Sequence, residues 1–75
     1  MRYFFDIGED RDDVGTDLLG ESAIPSQALG LLLAVAAHRP EIVRDLRLTV
    51  RDEAQIPVYR AHLRLNGEWL KQAAP

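Results

Sequence analysis

A small α+β domain, with one helix packed on an antiparallel sheet in the order ββαββ, is what three features of the sequence predict. Leu46–Arg51 and Pro57–Leu65 alternate apolar and polar side chains, as half-buried strands do. A central stretch, QALGLLLAVAAHR, carries apolar residues at helical spacing. The opening RYFFDI is rich in aromatic residues that favour a pleated surface. One helix laid across one sheet buries all of these apolar faces together.

Taken in order, residues 1–20 read as a hairpin with an acidic loop. In the first strand Tyr3, Phe5 and Ile7 share one face, and Arg2, Phe4 and Asp6 share the other. Residues 8–13 are too polar to bury, Val14 to Leu19 form a short second strand, and Asp17-Leu-Leu-Gly20 closes it. Residues 23–44 read as helical. Ser22 or Ser26 is the expected cap, and Pro25 suits a first turn, where its missing N–H costs little. Ile24, Ala28, Leu29, Leu31, Leu32, Val35 and Ala36 fill one broad apolar arc, with one more helical turn expected at Pro40–Arg44. Residues 46–65 form the second hairpin around the turn Asp52-Glu53-Ala54-Gln55. Tyr59, Ala61, Leu63 and Leu65 point inward there, while Val58, Arg60, His62 and Arg64 point outward. Residues 66–75 are a tail, whose Trp69 and Leu70 are expected to fold back onto the core.

Seventy-five residues bound the answer to a single domain, 1–75, which buries only about 60% of the surface of its unfolded chain. With 47% hydrophobic and 28% charged residues the composition is that of a globular protein, not a disordered tail. The chain has no cysteine, which excludes disulfide staples and thiolate metal sites. No stretch is long and apolar enough to span a bilayer, and Asp6 interrupts any signal-peptide core. A cytoplasmic protein without a membrane partner is the expectation. The net charge of −3 conceals an asymmetry. Residues 1–21 carry seven acids against Arg2 and Arg11, whereas residues 22–75 carry seven bases against five acids.

The N-terminal Tyr3-Phe4-Phe5, the turn at Asp17 and Gly20, the helix QALGLLLAVA and the Val50, Asp52, Pro57, Val58 hairpin resemble a family of short proteobacterial proteins. That family is catalogued only as a domain of unknown function. The resemblance covers roughly the whole chain and implies the ββαββ fold, but it brings no activity, ligand or site residue. One departure is visible: the family carries a glycine in the last turn, where this chain reads Glu53-Ala54-Gln55-Ile56.

Candidate chemistry is sparse. Asp10, Asp12, Gly15 and Glu21 match part of a calcium-loop spacing. Val14 and Leu18, however, stand where two oxygen ligands belong, and the preceding segment is a strand where a helix is required. A solvated loop is the better reading. His38 and His62 share no metal-ligand spacing, and Ser22 and Ser26 are explained as caps. No nucleophile elbow or phosphate-cradling glycine loop is present. The sequence therefore points to no catalytic residue, metal or cofactor, and to a non-enzymatic protein.

Two surfaces are left. Opposite the apolar arc, the helix carries small residues where long charged ones are usual. Ala23, Gly30, Leu33, Ala34 and Ala37 are the candidate self-association residues, because a mid-helix glycine costs about 1 kcal/mol and invites a packing explanation. A homo-oligomer follows as the leading expectation, formed through the helix or through a sheet edge, with binding to a partner protein beside it. The alternative is nucleic-acid or polyanion binding through the outward face of the second hairpin, by Arg47, Arg51, Arg60, His62 and Arg64. A pI near 5.2 weighs against it.

Overall fold

Arg2–Ile7 forms β1, Thr16–Asp17 β2, Ile24–His38 α1, Asp45–Arg51 β3 and Pro57–Arg64 β4, in a computed structural model that describes residues 1–38 and 45–71. The order ββαββ is the one the sequence predicts. Every pairing is antiparallel, and the order across the sheet is β2-β1-β3-β4. Each hairpin thus keeps its own strands together, and the two hairpins join through β1 and β3.

Register places the apolar residues on one face. Phe5 lies opposite Val50 and Ile7 opposite Leu48. Val50 in turn faces Tyr59, and Leu48 faces Ala61. The helix packs over β3 and β4 on that face. Tyr3, Phe5, Leu48 and Val50 are buried from the sheet, and Ile24, Ala28 and Leu32 from α1. Each such large side chain contributes about 1.5–3 kcal/mol by leaving water. Tyr59, Ala61 and Leu63 of β4 are only half-buried, so the core thins toward that edge.

The helix enters through a short 3-10 turn at Glu21–Ala23. Pro25 sits in its first turn as expected. The serines do not cap it: Ser22 lies within the 3-10 turn, and the Ser26 hydroxyl donates back to the Ala23 carbonyl at 3.2 Å. The buried stripe is narrower than the expected arc, since Leu29 is 52% exposed and Val35 also reaches solvent. The expected turn at Pro40–Arg44 lies outside the described residues.

β2 is shorter than the Val14–Leu19 strand expected. Leu18 still continues the pairing, exchanging backbone bonds with Met1. In the β3–β4 turn the Asp52 carboxylate accepts the N–H groups of Ala54 and Ile56. Gln55 takes the left-handed conformation there, φ 68°, at a position that suits glycine. Trp69 and Leu70 do not return to the core. Both are 93% exposed, and Leu65 is exposed too, because β4 ends at Arg64 and the chain leaves the sheet. No helix among the described residues is long and apolar enough to cross a membrane.

Candidate functional site

Three regions outside the core concentrate polar chemistry or unpartnered surface. They are the acidic loop against β1, the open face of the sheet, and the side formed by β4 and the outer flank of α1.

The acidic loop acts as a substitute strand. Beyond the two residues of β2, β1 would present unpaired backbone groups at Phe5 and Ile7. Ile7 exchanges two backbone bonds with Asp10. The Phe5 N–H donates to the Asp12 carboxylate at 3.0 Å, and the other oxygen of that carboxylate accepts from Val14 and Gly15. Burial pushes the Asp12 pKa up, but the N–H groups of Gly15, Phe5 and Val14 outweigh it and hold the carboxyl below its ordinary range. On the opposite side of β1, the Arg2 N–H donates to the Glu53 carboxylate at 2.8 Å. The loop therefore does more than join two strands in water. Its Asp12 oxygens are committed to backbone donors, and no group of three or more His, Asp or Glu among the described residues is placed to hold a metal ion.

On the open face, Arg51 is the centre of a closed network. Its guanidinium donates from Nε and Nη2 to the two oxygens of Asp6, at 2.6 and 2.9 Å, from Nη2 to the Asp12 carbonyl, and from Nη1 to Gln55. It also lies over the Phe4 ring, 5.1 Å from its centroid. The Arg51 bonds hold the Asp6 carboxyl below its usual range against the opposing effect of burial, and Asp6 in turn raises the Arg51 pKa. Among the described residues no buried side-chain nitrogen or oxygen lacks a partner. Such a satisfied network holds the two hairpins together.

The five residues expected to form a cationic face all lie on it, but they are not equivalent. Arg51 is buried, 8% exposed, and engaged by Asp6. His62 pairs with Asp45, lowering the Asp45 pKa, and Arg64 lies 4.0 Å from the same carboxylate. Arg47 and Arg60 remain exposed, and they flank a shallow groove with Thr49 and His62. Phe4, the aromatic of this face, is covered by Arg51.

The third region joins the two routes to self-association. Gly30, Leu33, Ala34 and Ala37 are exposed on α1, and Ala23 is half-buried in the preceding turn. Leu31 and Val35 line a cavity with Asp10 and Thr16, on the side of the acidic loop. At about 100° per residue, Leu29 and Leu33 fall on the opposite flank, toward β4. There β4 is the free edge of the sheet among the described residues. Backbone direction alternates along it. Arg47 bonds toward Gly8 on the β1 side, so Leu48 and Val50 bond to Ala61 and Tyr59, and the N–H and C=O of Arg60 and His62 point outward. Leu29 and the outward backbone of β4 escape a reading by periodicity alone. The first needs the helix orientation, the second the strand order.

Neither the comparison with curated proteins nor that with solved structures finds a match. Residues 2–64 match the family model described as "Domain of unknown function (DUF6894)", and the chain belongs to that family.

Proposed function

We propose that this protein is a non-enzymatic interaction module that works as a symmetric homodimer, closed through the side that carries the β4 edge and the outer flank of α1. The observation that carries the reading is the helix. Ile24–His38 contains no Asp, Glu, Lys or Arg, yet only Ile24, Ala28 and Leu32 are buried. Leu29 and Leu33 are half in solvent, at 52% and 50%. A helix without a charged face is normally covered on all sides.

A second copy fits better than an unrelated chain, because the surface is self-complementary. Antiparallel pairing of two β4 edges about Ala61 sets Arg60 against the partner's His62 and Val58 against the partner's Arg64. No arginine then meets an arginine directly, a clash that would weaken the pairing. The dyad runs through the sheet, so both helices lie on one face and their leucine flanks meet. Gly30 lies almost opposite the buried stripe and faces away from the sheet, so the contact rests on the leucine flank and not on the glycine. Association stops at two, because the far edge is only the two-residue β2, with the loop carrying Asp10 and Asp12 covering β1 beyond it.

Sedimentation velocity across micromolar concentrations tests this. A dimer is expected for the wild type and a monomer of unchanged fold for Leu33→Glu. A wild-type monomer at every concentration would refute it.

A further inference from the structure

We propose that the groove between β3 and β4 on the open face is a phosphate-binding site, with Arg47 and Arg60 as its ligand-contacting charges. This proposal is independent of the homodimer, since the groove lies on the face opposite the helix and is complete in one copy.

The first support is a charge count. Of the arginines among the described residues, Arg2, Arg11, Arg51 and Arg64 each have a carboxylate within 4.0 Å. Arg47 and Arg60 have none among the described residues. A chain of net charge −3 thus leaves two arginines of one patch without an ion pair among the described residues, although Arg47 is near enough to Asp45 to help hold its carboxyl below the ordinary range. The second support is shape. Register sets Arg60 opposite Thr49 and Arg47 opposite His62, so the two arginines lie on a diagonal of one four-residue patch. The patch is concave, with a volume of about 400 Å³. The third is the treatment of the one nearby acid. The Asp45 carboxylate is bonded to His62 and lies 4.0 Å from Arg64, so it already has partners at the end of the groove.

These features select phosphate over carboxylate. A carboxylate offers two oxygens in one plane and satisfies one guanidinium fork, as Asp6 does for Arg51. Two separate forks need an anion with more oxygens and more charge, which a phosphate group supplies, with the Thr49 hydroxyl beside it. Nothing in the groove selects what the phosphate is attached to. Its lining is Arg47, Leu48, Thr49, Arg60, Ala61 and His62, without an aromatic ring for a base, and Phe4 is covered. The shared chemistry is therefore the phosphate group, whether free or within a phosphodiester chain.

The test is an NMR titration at low salt with two probes, inorganic pyrophosphate and a single-stranded oligothymidylate. Shift changes are expected at Thr49, Arg60 and His62. Arg47→Gln and Arg60→Gln should each weaken binding about tenfold, with Arg11→Gln unchanged. For the oligonucleotide, the salt dependence should fall by about one phosphate contact per arginine removed. Tighter binding of the oligonucleotide assigns the phosphate to a nucleic-acid backbone, and equal or tighter binding of pyrophosphate assigns it to a free phosphate. Absence of shifts with both probes, or undiminished affinity in the Arg47→Gln/Arg60→Gln double variant, overturns the proposal.

Discussion

Arg51 and Asp6, forty-five residues apart in the chain, meet through two bonds of 2.6 and 2.9 Å on the face of the sheet that the helix leaves open. The pair ties β3 to β1 and, through the Asp12 carbonyl, ties both to the acidic loop. One ion pair thus fixes the first hairpin to the second on the side where no apolar core exists.

Removing one partner should therefore be costly. Arg51→Met leaves the Asp6 carboxylate partly buried without its counter-charge, and a loss of about 3 kcal/mol is expected by urea denaturation. That is a large share of the roughly 4–11 kcal/mol available to a domain of this length. Arg51→Lys keeps the charge but cannot serve both oxygens and the Asp12 carbonyl in one plane, so it should fall between.

Acid should unfold the protein through the same groups. Asp6 and Asp12 both have folded pKa values below the ordinary carboxylate value. The folded state then binds fewer protons than the unfolded one below about pH 4, so the stabilisation is whole above that value and is lost as pH falls through the lower folded pKa values. Urea midpoints should hold steady from neutrality to about pH 5 and then drop, with a shallower drop in Asp6→Asn.

Asp12 is the structural acid of the loop. Asp12→Ala removes the acceptor of three backbone N–H groups, and a loss of about 2–3 kcal/mol is expected, with aggregation as the bared β1 edge becomes available. Gly15→Ala should act on the same turn. Its φ is 82°, and a Cβ there would meet Arg2 Cγ at 2.7 Å. Thermal melts of the two variants should both fall.

Much of this fold is legible in the sequence, and the reasons are local. The alternation of Leu46–Arg51 and Pro57–Arg64 sets which side chains face the helix, and Pro25 marks the start of α1. What is not legible depends on distant partners. Side-chain parity correctly puts Arg51 on the outer face, but its burial comes from the Asp12 loop and Gln55 closing over that end of the sheet. Asp12 reads as one acid among several, because its role is to accept an N–H that only the shortness of β2 leaves free. Trp69 and Leu70 suggest a return to the core that the end of β4 does not permit. The uncharged helix is legible as an anomaly. That its exposed leucines and the open strand edge lie on one side of the molecule requires the strand order.

Gly30→Ala separates the fold of one copy from its association. A helix-interior glycine with open space around it should give about 1 kcal/mol of stability when replaced by alanine, read in melts at concentrations too dilute to associate. The dimer dissociation constant should stay unchanged in the same variant, because Gly30 faces away from the sheet and off the flank of Leu29 and Leu33.

Amide hydrogen exchange along β4, followed as a function of protein concentration, tests the homodimer most directly. The N–H groups of Tyr59 and Ala61 bond to β3 and should be protected at every concentration, whereas those of Arg60 and His62 point to the free edge. Protection at Arg60 and His62 that grows with concentration, and is absent in Leu33→Glu, is the expected result. Fast exchange at both positions in samples where Tyr59 and Ala61 stay protected, however concentrated, would contradict it.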